Sequence, residues 1–325
     1  MTNSISIAFA CDEGYSKHVA VVMHSILVNA ATEDRHEFHI LTMNIGSEAE
    51  NRLREIATHG KATIFVHRVD ANRLIGFPVL SHPLEAYLRL LLPEILPDRE
   101  KILYLDADLL VLGSLSNLWD FPIEQKAVAA AIDSMTIFKG SALEHFKALQ
   151  LPAEHLYFNT GVLLLNLKVL REIKLLETVK EWAAEHSDLM IHSDQDVLNV
   201  ILAGNISYFH LRWNLQVPLI APIKLGWQCT QEHITAVSDP AIIHYVTYRK
   251  PWRKEFKLPY QNLYFKYLAQ TPWKDEAPQP LTFDLAWNRF IEELDWSTKW
   301  IKSKLRSLIG RNFKLAEDNK KINCS

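Results

Sequence analysis

Four stretches of this 325-residue chain carry residue types that could do chemistry together. The first, KILYLDADLLVLGSL (101–115), is an apolar run that closes on Asp106, Ala107 and Asp108. Two carboxylates flanking a small residue just past a strand can converge on one divalent cation and offer it hard oxygen ligands. An Asp at a strand end also serves as turn chemistry, so the pair alone decides little. The second, IIHYVTYRKPW (242–252), puts His244 at the end of another apolar run and Lys250 in the following loop. A neutral imidazole can be the third ligand, and an ammonium six residues on can neutralise a phosphate. An imidazole among the ligands tilts the choice of ion from Mg²⁺ toward Mn²⁺.

The third and fourth are YFNTGVLLLNL (157–167) and HSDQDVLNVIL (192–202). Asn159, placed before a strand, could bond a sugar hydroxyl or cap a turn. Ser193 and Asp196 fit a capping box, which leaves Asp194 and Gln195 unexplained. Haloacid-dehalogenase phosphatases also end a strand in DxD. Their motif usually continues Gly-Thr near the amino terminus, whereas this one continues Leu-Leu after three earlier strand–helix pairs, which makes the phosphatase a minor alternative.

An alternation of short apolar runs with helical patterns must position these residues, and it predicts an α/β layered sheet. Strands are expected at 5–11, 37–42, 62–67, 101–106, 127–133, 161–167 and 241–245, with helices at 16–30, 47–60, 81–92, 168–186 and 194–204. Ligands of such sheets bind beyond the carboxyl ends of strands, where the motifs fall. No GxGxxG or GxxxxGK[ST] occurs, which argues against a dinucleotide-dependent dehydrogenase or a P-loop phosphotransferase.

The hydrophobic share, 48%, suffices for a large core. The net charge of −3 is uneven: residues 296–325 hold eight Lys/Arg against two Asp/Glu. Phe283, Trp287, Phe290, Ile291 and Leu294 recur at helical spacing, and a basic run with Trp296 and Trp300 follows. The expected division is a catalytic domain over 1–280 and an amphipathic, basic, helical membrane-association segment over 281–325. Three cysteines at unrelated spacings suit a reducing compartment, and the first residues lack a signal-peptide pattern. A cytoplasmic protein held peripherally to the inner face of an anionic membrane is expected, with no nucleic-acid partner.

In this order and spacing the motifs, from about Ile5 to Trp252, resemble glycosyltransferase family 8, especially the bacterial lipopolysaccharide galactosyl- and glucosyltransferases. The resemblance implies a GT-A-like fold, a mixed, mostly parallel sheet flanked by helices. It implies a retaining transfer of galactose or glucose from UDP-galactose or UDP-glucose to a glycan or glycolipid acceptor such as lipopolysaccharide core. In FACDEGY (9–15), Asp12 would bond the uracil, with Ala10 and Tyr15 lining the base. Arg89 would reach the donor sugar and phosphate. Asp106, Asp108 and His244 would hold Mn²⁺, with Mg²⁺ as a substitute, and Lys250 would bind the diphosphate. Asp133, Asn159, Asp194 and Gln195 would bond the transferred hexose. A glycogenin-like self-glucosylating protein shares these motifs and stands as the alternative.

Overall fold

Runs that are apolar on both faces need a sheet covered on both sides. In the computed structural model, which describes residues 4–78, 83–138, 142–224 and 230–276, they form one. The strands in chain order are β1 (Ser4–Ala10), β2 (Arg35–Thr42), β3 (Thr63–Arg68), β4 (Lys101–Leu105), β5 (Leu109–Val111), β6 (Val128–Ile132), β7 (Phe158–Asn166), β8 (Ile206–Tyr208), β9 (Leu215–Gln216) and β10 (Ile242–His244). Seven make a sheet in the order β3-β2-β1-β4-β7-β6-β8, and β5-β10-β9 make a second, smaller one. In the large sheet β7 alone runs against its neighbours, giving the mixed, mostly parallel sheet expected. The segment 281–325 lies outside the described residues. No helix among the described residues is long and apolar enough to cross a membrane.

Alternation along each strand divides the core in two. Ile7, Phe9, Leu103 and Leu105 face one side of the sheet, and Ala8, Ile102 and Tyr104 face the other. Helices α1 (Ser16–Val28) and α2 (Ser47–His59) cover the first side. In α2, Ala49, Leu53, Ile56 and Ala57 make the buried stripe, while Glu48 and Glu50 in the first turn complement the helix dipole. The helix stops at Gly60, where a Cβ would strike Leu27 at the end of α1.

Two predicted helices differ from what forms. In place of 81–92 the chain makes a 3-10 helix, Leu84–Leu91, and then a short α-helix, Leu92–Ile95, with Pro93 in its first turn. Pro93 lacks an N–H and so starts a helix where the periodicity suggested an interior. The predicted 168–186 is two helices, Leu167–Glu172 and α3 (Leu175–His186), divided at Lys174 with φ 50°. The Arg171 guanidinium holds the break by donating to the carbonyls of Pro93, Leu96 and Arg99. Leu167, Leu170, Leu175 and Leu176 are all buried, so the apolar spacing runs across the break and conceals it.

Burial of histidine sets a pH response. His18 lies 2.7 Å from the Tyr264 hydroxyl through Nδ1 and stacks on Trp252 at 3.6 Å, and burial pushes its pKa from 6.5 down to about 3. Burial likewise takes His39 down to about 4, helped by His67 and Arg99. Below pH 6.5 the unfolded chain therefore binds more protons than the folded one, and stability is lost as pH falls from 6.5 toward 4. For His18 the slope approaches about 1.4 kcal/mol per pH unit. Urea unfolding at pH 7 and pH 5 should show this loss, and His18→Phe should shrink it; equal stability at both pH values would contradict it.

Candidate active site

The carboxyl edge of the large sheet collects the polar residues. Asp12, Asp106 and Asp133 follow the last residues of β1, β4 and β6. Because β7 runs opposite to its neighbours, its amino-terminal end reaches the same edge. Asn159 is thus inside a strand, not before one as the sequence suggested. The pairing of β6 with β7 shifts register between Ala130 and Ile132, immediately before Asp133.

After Asp106 the chain leaves the large sheet as β5, which pairs antiparallel with β10 and sets His244 opposite Leu109. The Tyr245 N–H donates to the Asp108 carbonyl at 3.0 Å. One ligand atom each from Asp106, Asp108 and His244 then fall within 4.8 Å of one another. His244 Nε2 is 3.2 Å from Asp108 Oδ1 and 3.9 Å from Asp106 Oδ2. Gly161 makes room: a Cβ there would lie inside van der Waals contact of His244 Cε1 and 2.8 Å from Asp106 Oδ2. Its carbonyl accepts from the Asp106 N–H at 2.9 Å. Two carboxylates and an imidazole form a donor set that fits Mn²⁺ or a similar borderline ion.

Two cations offset this negative charge. Lys250 Nζ donates to Asp108 Oδ2 and, at 2.7 Å, to the Tyr245 carbonyl. Burial raises the Asp108 pKa, but Lys250 and His244 outweigh it and hold the carboxyl well below the usual carboxylate range. Arg89, 5% exposed, donates to Asp106 Oδ1 at 3.0 Å and to the Thr160 carbonyl at 2.5 Å. It is therefore a buried bridge, not the surface ion pair that a lone Arg often makes. Its Nε lies 3.1 Å from Asp194 Oδ2 but sends its N–H to the Ala86 carbonyl, leaving that carboxylate oxygen ion-paired without a hydrogen bond. Burial lifts Asp194 to about 6 against the opposing pull of Arg89.

Asp194 and Gln195 start α4 (Asp194–Ile201), and the capping box expected there does not form. Asp196, fully buried, accepts instead from the N–H groups of Ile191 and His192, both at 2.7 Å, from His145 Nε2 at 2.8 Å and from the Tyr157 hydroxyl. This clamp holds Ser193 at φ 49°, ψ −127°, a conformation that favours glycine, and strain of this kind concentrates at functional sites. Gln195 Nε2 reaches Asp133 Oδ2 at 3.3 Å, and its Oε1 accepts from the Thr160 N–H at 3.1 Å.

Two adjoining cavities contain every candidate residue from the sequence. Ala10, Asp12, Tyr15, Arg89, Asp106, Ala107, Asp108 and Lys250 line one of about 400 Å³. Asp133, Asn159, Asp194, Gln195 and His244 line the other, of about 320 Å³, with Arg89, Asp106, Asp108 and Lys250 on the shared wall. Asp12 Oδ1 accepts from the Tyr15 N–H at 2.7 Å, and the Tyr15 ring, 40% exposed, stands edge-on to Trp252 at 5.8 Å. Gly161, Asn214 and Trp252 escaped the sequence reading. Gly161 lay within a quoted motif, but only the fold shows what its missing Cβ accommodates.

Residues 6–255 match the family described as glycosyl transferase family 8. The chain belongs to that family. General stress protein A of Bacillus subtilis is 30% identical over 278 residues, which cover 82% of this chain and 94% of that protein. Lipopolysaccharide 1,2-glucosyltransferase of Escherichia coli K12 is 26% identical over 280 residues, 85% of this chain and 80% of its own. The galactosyltransferase LgtC, solved with donor and acceptor sugar analogs, superposes with a TM-score of 0.73 at 25% identity, covering 87% of this chain and all of LgtC. This family 8 glycosyltransferase thus has the GT-A-like fold, and the phosphatase reading of its DxD falls.

Proposed function

We propose that this glycosyltransferase is a metal-dependent, retaining hexosyltransferase that moves galactose or glucose from a UDP-sugar to a glycan acceptor, most readily a lipopolysaccharide or lipooligosaccharide core. The observation that carries the proposal is the Asp106–Asp108–His244 cluster, whose two aspartates stand on the wall between two cavities, one edged by Tyr15 and one lined with hydrogen-bonding side chains. Asp106, Asp108 and His244 would hold Mn²⁺, which supplies Lewis-acid stabilisation of a departing diphosphate.

The chain's own residues divide the remaining work. Asp12 and Tyr15 seat the uracil, with Ala10 and Ala107 as small walls. Lys250 neutralises charge on the diphosphate as the bond from the anomeric carbon breaks and its electron pair leaves with UDP. Arg89 orients Asp106 and Asp194, and Asp133, Asn159 and Asp194 bond hexose hydroxyls. Gln195 is poorly suited to be a nucleophile: its amide oxygen already faces the Thr160 N–H, Asn159 Nδ2 and the Thr160 hydroxyl. The acceptor hydroxyl therefore attacks from the face the diphosphate leaves, forming the new glycosidic bond as the old one breaks and passing its proton to an oxygen of the departing diphosphate. Relatives named for lipopolysaccharide glucosyl- and galactosyltransfer favour a separate acceptor over self-glucosylation.

UDP release from a panel of UDP-sugars with Mn²⁺, with and without core oligosaccharides, tests the proposal; no metal-dependent release from any hexose donor would refute it. Gln195→Ala and Asp194→Asn should leave UDP affinity nearly intact while lowering turnover on the order of 100-fold, because they act on the hexose. Loss of UDP binding in a folded variant would show that this motif belongs to the nucleotide.

The segment 281–325 is proposed to hold the enzyme to an anionic membrane at the cytoplasmic face, with basic side chains each worth about 1 kcal/mol near such a surface. Full-length protein should sediment with phosphatidylglycerol vesicles at low salt, whereas protein lacking residues 283–325 should not, yet should still use small acceptors. Equal sedimentation of the two would end this part of the proposal.

A further inference from the structure

His244 can serve a metal through Nε2 only if its remaining proton sits on Nδ1. The atom facing Nδ1, at 2.8 Å, belongs to the side chain of Asn214, which is fully buried. Whether an amide presents oxygen or nitrogen is fixed by its other contacts. Here those contacts run back to groups whose polarity is not negotiable.

Asn159 is anchored twice. Its Nδ2 faces the Asp133 carboxylate at 2.9 Å, which accepts, and its Oδ1 faces the backbone N–H of Gly161 at 3.0 Å, which can only donate. The same Oδ1 lies 2.8 Å from Asn214, so Asn214 must turn its Nδ2 there. The other end of Asn214, its Oδ1, is thereby aimed at His244 Nδ1 and must accept. The imidazole keeps its proton on Nδ1 and leaves the Nε2 lone pair toward Asp106 and Asp108. Parallel pairing of β9 with β10 builds this contact, because it sets Gln216 beside His244 and Leu215 beside Ile243, with Asn214 next in line.

We propose that Asn214 is a positioning residue that locks His244 in its Nδ1–H tautomer, and that Asp133 and Asn159 of the second cavity set the direction of this lock. The inference rests on the metal reading of His244 for its consequence, though not for the tautomer itself. Groups behind a ligating histidine typically contribute 10–100-fold to metal affinity. The relay also gives Asp133 a second role, since a change there reaches the ligand set through two amides.

The tautomer can be read directly in the intact wild-type protein, without any variant. A long-range ¹H–¹⁵N spectrum of histidine-labelled protein near neutral pH, with the His244 signal assigned by its loss in His244→Gln, should show a pyrrole-type Nδ1 and a pyridine-type Nε2. The reverse pattern overturns the proposal. In protein saturated with UDP, Mn²⁺ affinity followed by electron paramagnetic resonance should be about 10–100-fold weaker for Asn214→Leu than for wild type. It should stay within a few-fold of wild type in Asn214→Asp, which keeps an acceptor toward Nδ1. A folded Asn214→Leu that binds Mn²⁺ as wild type does would reduce Asn214 to a space-filling role and overturn the proposal. A wild-type protein with the expected tautomer but no Mn²⁺ affinity would instead uphold the lock and refute the metal reading.

Discussion

Asp108→Asn and Asp106→Asn are each expected to abolish Mn²⁺-dependent UDP binding while leaving the fold in place. Both changes remove an anionic oxygen and nearly keep volume. Asp108 should show the larger effect, since it meets both His244 and Lys250 at the shared wall of the cavities. The loss should exceed the roughly 10–100-fold that removal of a supporting residue costs. Calorimetric titration of UDP with and without Mn²⁺ measures it directly. Metal-dependent affinity that is unchanged in both variants would remove the cluster from the mechanism.

Gly161→Ala should be nearly as damaging, and for a different reason. One added carbon would overlap His244 Cε1 and crowd Asp106 Oδ2. The strand cannot yield easily, because β7 is buried along its whole length and pairs with β4 and β6 on either side. Overpacking of this kind costs typically about 1–3 kcal/mol. The accommodation left to the protein is to push His244 away from the two carboxylates, so Mn²⁺-dependent UDP release should fall on the order of 100-fold, as displacement of about an ångström can do. Gly113→Ala is a suitable control, with nothing within 4 Å of the new carbon. Thermal unfolding and UDP release from the two variants decide the matter: a Gly161→Ala enzyme as active as the control would show that the ligand cluster has slack.

The fold was legible where local pattern and burial agree. Seven of the strands follow apolar runs whose ends fall within a few residues of those expected, and the DxD declares itself because charge there interrupts an apolar stretch. β5, β8 and β9 were missed because two or three residues leave no period to read. The break at Lys174 was missed because nothing in its side chain advertises a positive φ. In the site, residues with chemically expressive side chains stood out, whereas those that act by omission or at a distance did not. Gly161 works through the carbon it lacks. Asn214 works through the direction of its amide, which only the contacts of Asn159 reveal. Asp196 looked like a helix cap by spacing, but the Ile191 and His192 N–H groups claim its carboxylate once the loop is in place.

The smaller sheet has a consequence for the order in which the protein assembles. Its three strands come from distant parts of the chain, and Lys250 closes on Asp108 across 142 residues. Contacts of such long range carry a high loop-closure entropy and form late, after the parallel pairs β1–β2 and β2–β3 have been joined by their intervening helices. The Asp106–Asp108–His244 cluster is therefore expected to come together only when β10 docks beside β5. During synthesis a ribosome must have released the chain beyond β10 before the aspartates at the end of β4 acquire their third partner. Under the proposed metal role, loading is expected to follow the docking of β10 beside β5 and not to guide the earlier strand pairings.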